Sequence, residues 1–106
     1  MKNGFNIEWT FEAEENLNAI FDYLETTWTE REIKIFAQKL ERNLQIISLY
    51  PTIFPYYDEA KTARRCVLPS QTTIYYCDIP AENKIVILTL FDNRRNPDTL
   101  NEKIAN

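Results

Sequence analysis

Two apolar stripes at helical spacing, separated by only a few residues, constrain this chain more than anything else in it. Ala13, Leu17, Ile20 and Leu24 recur three or four apart, with Phe21 and Trp28 widening the stripe. That pattern predicts a helix from about residue 11 to about 26 with one apolar face. Thr10 is placed as its N-cap, and Glu12, Glu14 and Glu15 stand where carboxylates complement the helix dipole. Thr29-Glu30-Arg31-Glu32 then reads as a capping box, in which the threonine hydroxyl accepts from the Glu32 N–H and the glutamate reaches back. Behind it Ile33, Phe36, Ala37, Leu40, Leu44 and Ile47 form a second stripe, closed by Pro51, which disfavours helical geometry at Tyr50. Two helices joined so tightly fold back as an antiparallel hairpin and leave their stripes free to cover a sheet.

The strands around this hairpin show a different period. Phe5-Asn6-Ile7-Glu8-Trp9 alternates apolar and polar, as a half-buried strand does. After the proline-punctuated connector Pro51–Tyr57, Arg64–Leu68 and Thr73–Ile79 flank Pro69-Ser70-Gln71-Thr72, a hairpin loop. A second turn over Pro80–Lys84 leads into Ile85-Val86-Ile87-Leu88-Thr89-Leu90-Phe91. That run is apolar on both faces and rich in β-branched residues, which suits a central strand. The expected fold is α+β: an N-terminal strand, a two-helix antiparallel hairpin, then a three-stranded antiparallel meander, with the helices on one sheet face. One domain spanning residues 1–106 is expected, since the length allows a single core. A single glycine and five prolines leave no flexible linker.

The absence of histidine narrows the chemistry. It removes the commonest general base at neutral pH and the commonest metal ligand, and with them Ser–His, Cys–His and zincin sites. The only glycine, Gly4, cannot build a phosphate-cradling loop. Cys66 and Cys77 lack metal-like spacing and are expected to be free, partly buried thiols. Neither cofactor nor metal is expected. The N-terminus lacks the apolar core of a secretory signal, and no uncharged run approaches the roughly 20 residues that cross a bilayer. A cytoplasmic protein is expected.

Charge is uneven. Residues 1–60 carry eleven acidic and five basic side chains, while residues 61–106 carry five acidic and seven basic. An acidic chain is a poor general nucleic-acid binder, because phosphate neutralisation by Lys and Arg supplies most of that affinity. The basic side chains of the second half still single out two pairs, Arg64-Arg65 and Arg94-Arg95. Arg94 and Arg95 follow an apolar strand, where a basic pair meets a phosphate, an acidic partner or only water. Arg64 and Arg65 alternate across a strand, so one of them faces the helices or an interface, and if buried it needs a partner, for which Glu or Asp of the acidic half is expected. Tyr56, Tyr57, Tyr75 and Tyr76 offer rings for base stacking, although packing is the commoner role of such residues. Trp9 and Trp28 read as packing residues, and the helix carboxylates as capping and solubility charge.

In this order and length the chain resembles the RelE/ParE toxin superfamily. Trp9-Thr10 followed by Ala13, Leu17, Ile20 and Tyr23-Leu24 is similar to the family's first helix, which begins after a strand ending in Trp–Ser/Thr. Leu40, Leu44 and Ile47, then Tyr50-Pro51 and Phe54-Pro55, resemble the second helix and its exit. Arg65, Ile74-Tyr75-Tyr76, Ile85–Leu88 and the closing Asn93-Arg94-Arg95-Asn96-Pro97 are similar to the landmarks of the meander. The likeness runs from about residue 5 to 97 and rests on order and spacing, each motif being weak alone.

The resemblance implies the toxin of a type II toxin–antitoxin module, of the plasmid-stabilising kind, held silent by a cognate antitoxin whose tail folds over it. It implies one of two targets, DNA gyrase in the ParE-like branch or messenger RNA on the ribosome in the RelE-like branch. RNA cleavage there requires cationic side chains on the sheet and a Tyr or His near the C-terminus. This chain departs from that pattern: Thr73-Ile74 stand where an arginine would open the second hairpin strand, Cys66 interrupts the basic series, and no Tyr or His follows Asn96. The ParE-like branch is therefore expected, without assignment as an enzyme, and with Arg64, Arg65, Arg94 and Arg95 contacting target or antitoxin. The alternatives are a ribosome-dependent endoribonuclease and a non-toxic binding module on the same fold.

Overall fold

A computed structural model describes residues 4–68 and 72–92. The chain runs β1 (Asn6–Trp9), α1 (Phe11–Thr27), α2 (Glu30–Leu49), β2 (Arg64–Val67), β3 (Thr72–Ile79) and β4 (Lys84–Asp92), with a short 3-10 turn over Pro80–Glu82. Thr10 caps α1 by accepting from the Ala13 N–H at 3.0 Å. The capping box of α2 is complete: Thr29 Oγ1 accepts from the Glu32 N–H and Glu32 accepts from the Thr29 N–H at 3.0 Å. Only Trp28 and Thr29 separate the helices, so they fold back and meet where Phe21 and Phe36 pack edge to face at 5.6 Å.

The meander β2–β3–β4 is antiparallel as the pattern predicts, and β1 joins it on the far side of β4. There it pairs in parallel, Asn6 opposite Lys84 and Trp9 opposite Ile87, which makes the four-stranded sheet mixed. This placement makes β4 an inner strand with a hydrogen-bonded neighbour on each edge, as its apolar run predicts. Of the expected hairpin loop only Thr72 is described, and it already belongs to β3; Pro69, Ser70 and Gln71 lie outside the described residues.

The core forms where both helical stripes meet one sheet face. Ala13, Ile20, Leu24, Phe36, Leu40 and Ile47 pack against Cys66, Ile74, Tyr76, Ile85, Ile87 and Leu90. A register shift between Tyr75 and Tyr76 sets Tyr75 opposite Thr89 and Tyr76 opposite Ile87, so Leu88 is the extra residue. This bulge resets the alternation of β4 and allows both Ile87 and Leu90 to face the core. It also sits where β1 ends. Thr10 Oγ1 donates to the Leu88 carbonyl at 2.8 Å, and Asn16 Oδ1 accepts from the Leu90 N–H at 3.1 Å, so α1 takes over as hydrogen-bond partner of β4. The approach to β1 is tied to α2 by Phe5, whose N–H donates to the Ser48 carbonyl at 2.9 Å. Gly4 permits this approach: its φ is +82°, and a Cβ there would lie 2.5 Å from Ser48 Oγ.

Candidate binding surface on the sheet

Alternation along β2 sends two adjacent arginines to opposite faces. Arg64 lies on the helix side with Cys66, opposite Tyr76, whereas Arg65 lies on the second face with Val67, opposite Tyr75. Arg64 is only 8% exposed. Each nitrogen of its guanidinium donates: Nε to Asp78 Oδ1 at 2.8 Å, Nη1 to the Phe54 carbonyl at 2.9 Å and Nη2 to the Tyr56 hydroxyl at 3.0 Å. The Tyr56 ring lies 4.0 Å from the guanidinium carbon. Burial works against the Arg64 charge and Asp78 more than offsets it, so its pKa stands above the ordinary value. The partner expected from the acidic first half is therefore supplied by β3 instead. With Arg64 paired to Tyr76, Asp78 is the diagonal neighbour on the same face, a relation that follows once the register is known.

This network ties the connector to the sheet. Arg65 N–H donates to the Pro55 carbonyl at 3.0 Å and Tyr57 N–H to the Ala63 carbonyl at 2.7 Å, so residues 55–57 run along the outer edge of β2. The buried Tyr76 hydroxyl donates to the Pro51 carbonyl at 2.6 Å. Asp58 shapes the return into β2: its carboxylate accepts from Thr62 and from the Ala63 N–H, and the Thr62 hydroxyl bond is the main cause of its lowered pKa.

On the second face Arg65 is exposed, 6.0 Å from the Tyr57 ring centre, and Val67 beside it is 58% exposed. Tyr57 covers Tyr75 edge-on at 5.1 Å, which buries that tyrosine outside the helix-facing core. Phe91, reached from Val67 through Thr73, is half-buried. Lys84, also on this face, is neutralised, because it pairs with Glu82 at 3.0 Å and Glu8 at 3.5 Å. Of the four tyrosines for which packing is the commoner role, Tyr75 and Tyr76 are buried, and burial pushes both hydroxyls above the ordinary tyrosine value, whereas Tyr57 is half-buried and Tyr56 is exposed. Arg94 and Arg95 lie outside the described residues. Among the described residues no group of His, Cys, Asp and Glu could hold a metal ion, and no helix is long and apolar enough to cross a membrane.

No family model matches the chain, and no curated protein matches it by sequence. Solved structures do. A chain of the chromosomal ParDE TA system from P. aeruginosa superposes with a TM-score of 0.69 at 15% identity, covering 86% of this chain and 98% of that one. A chain of the RelBE2 toxin–antitoxin complex from Mycobacterium tuberculosis gives 0.60 at 15% identity over 87% and 94%. A conserved hypothetical protein from Helicobacter pylori gives 0.55 at 11% identity over 85% and 96%. The chain, a strand, two helices and a mixed sheet, shares its fold with these neighbours over nearly their full length: it is the RelE/ParE fold.

Proposed function

We propose that the chain is the toxin of a type II toxin–antitoxin pair of the plasmid-stabilising kind. In this reading it inhibits growth in the cytoplasm by binding DNA gyrase, and a cognate antitoxin silences it. The observation that carries the reading is the fold, shared over nearly whole chains with members of two toxin–antitoxin complexes. Binding in preference to cleavage is favoured by the chemistry of the second sheet face. Arg65 presents a cation there beside exposed Val67, whereas Tyr75 on the same face is buried beneath Tyr57. Arg65 is the contact residue of the described sheet, Arg64 holds it in place through β2, and Arg94 and Arg95 join the surface on the strength of the sequence. An antitoxin tail that covers Arg65, Val67 and the apolar surface beside the helix pair fits this distribution.

The test is induction without antitoxin in a bacterial host, combined with a supercoiling assay on purified gyrase. Growth arrest, double-strand breaks and loss of supercoiling, all relieved by Arg65→Glu, are expected. Codon-phased cuts in primer extension of messenger RNA would replace gyrase with the ribosome as target. An induced culture that grows normally would leave only a non-toxic binding module.

A further inference from the structure

We propose that a cleft between the end of β1 and the first turns of α1 receives a cationic side chain, arginine or lysine, from an amphipathic segment of a protein partner. The cleft has a volume of about 350 Å³ and is lined by Trp9, Glu14, Glu15, Leu17 and Asn18. Its floor and walls differ in kind. Trp9 and Leu17 are half-buried, packed against the core on one side and open to the cleft on the other. Glu14 and Glu15 are exposed at its margin, and neither forms an ion pair among the described residues. Phe11, one turn earlier on α1, is 77% exposed, an aromatic ring with nothing seated on it.

The bland role of these carboxylates is to complement the α1 dipole, which explains Glu14 in the first turn. It does not account for an indole and a leucine left partly open in the same cleft as two acids that form no ion pair among the described residues. That combination matches one type of visitor. A guanidinium or ammonium group is attracted to an indole face, pairs with carboxylates and brings an alkyl stem that lies along apolar surface. Nucleic acid is disfavoured, because Glu14 and Glu15 would stand against phosphates. The exposed Phe11 ring favours a segment that carries an apolar side chain next to its cation. The surface is distinct from Arg65 and Val67, and the assignment requires neither toxicity nor any particular target.

The full chain labelled with 15N is titrated with a short peptide of alternating leucine and arginine, and in parallel with the same peptide carrying neutral citrulline for arginine. Saturable shifts at the Trp9 indole and at the Glu14, Leu17 and Asn18 amides are expected, with about tenfold weaker binding for the citrulline peptide. Glu14→Gln with Glu15→Gln, both exposed and away from the core, removes the preference for arginine while the remaining spectrum is unchanged. Equal binding of both peptides, shifts centred on other residues, or no saturable shift into the millimolar range would overturn the proposal. Concentration-dependent shifts at the cleft without peptide would assign it to a second copy of the chain and overturn it equally.

Discussion

On the helix side of the sheet, Ile74, Tyr76, Ile85 and Ile87 are sealed from water, whereas the second side is uneven: Thr73, Tyr75 and Thr89 are buried, Cys77, Val86 and Phe91 half-buried, and Arg65 and Val67 exposed. The strands are the same, so what differs is what lies above them. Two helices cover one face with apolar side chains; the other receives the connector, which brings Tyr57 over Tyr75, and a polar contact from α1, where Thr89 Oγ1 donates to Asn16 Oδ1 at 2.6 Å. The helix side therefore carries the stability of the fold. The second side keeps an exposed cation, Arg65, and an exposed aliphatic group, Val67, on the edge strand β2.

Paired substitutions at adjacent positions break this comparison or sharpen it. Ile85→Ala opens a cavity in a strand held on both edges, where the surroundings relax little, and a loss of about 4 kcal/mol is expected. Val86→Ala, one residue on and facing away from the helices, is expected to cost about 1 kcal/mol. Urea unfolding of both variants measures the contrast. Equal losses would mean that the second face is as tightly packed as the first.

The arginine pair comes next in magnitude. Arg64→Ala leaves Asp78, whose side chain is only 10% exposed, without its cation, and strips a donor from the Phe54 carbonyl and from Tyr56. A loss of about 3 kcal/mol is expected, with a coupling of 1 kcal/mol or more to Asp78→Asn in a double-mutant cycle, on the order of what contacting residues show. Arg65→Ala is expected to change stability by about 0.5 kcal/mol or less. The functional effect runs the other way: growth arrest on induction is lost in Arg65→Ala. An Arg64→Ala protein as stable as the parent would remove the structural role assigned to that residue.

Much of this division was legible in the sequence, but unevenly. The helices were fixed by strong period and by a capping box whose residue types leave one reading, and the meander by alternation and turn residues. The position of β1 was not, because four residues of alternating pattern specify a strand but not its neighbour; the parallel pairing is set only when β4 needs a second side. The bulge at Leu88 was invisible for a related reason, since an apolar run reads the same with or without an extra residue. That one of the two arginines turns inward followed from alternation alone. Its carboxylate could not be named without a register, so the first-half acids were a reasonable but wrong source and Asp78 was missed. The cleft beside Trp9 was missed because its residues had complete explanations one at a time, as packing and capping groups, and only their convergence in space makes a site.

The smallest expected effect separates the two thiols. Cys66 lies on the helix side with no exposure and donates to Asn43 Oδ1 at 3.6 Å; Cys77 lies on the second face, half-buried, and neither is in a disulfide. Burial pushes the Cys66 thiol up from its ordinary value of 9.0 to about 11, and Cys77 is raised as well, chiefly by burial. A thiol harder to ionise in the folded state holds its proton when the unfolded chain has lost it. Between pH 9 and 11 the folded protein therefore binds more protons, and stability falls as pH rises. Below pH 9 this contribution is complete and flat. Stability measured against pH should thus decline through that window, the decline should be shallower in Cys66→Ala, and the buried tyrosines should continue it above pH 10, their ordinary value. At pH 8 a thiol-specific alkylating agent is expected to modify Cys77 well before Cys66, and both at one rate in denaturant. Equal rates in the native protein would mean that the helix side opens as readily as the second face, and the contrast between the two sides of the sheet would fail where it is simplest to measure.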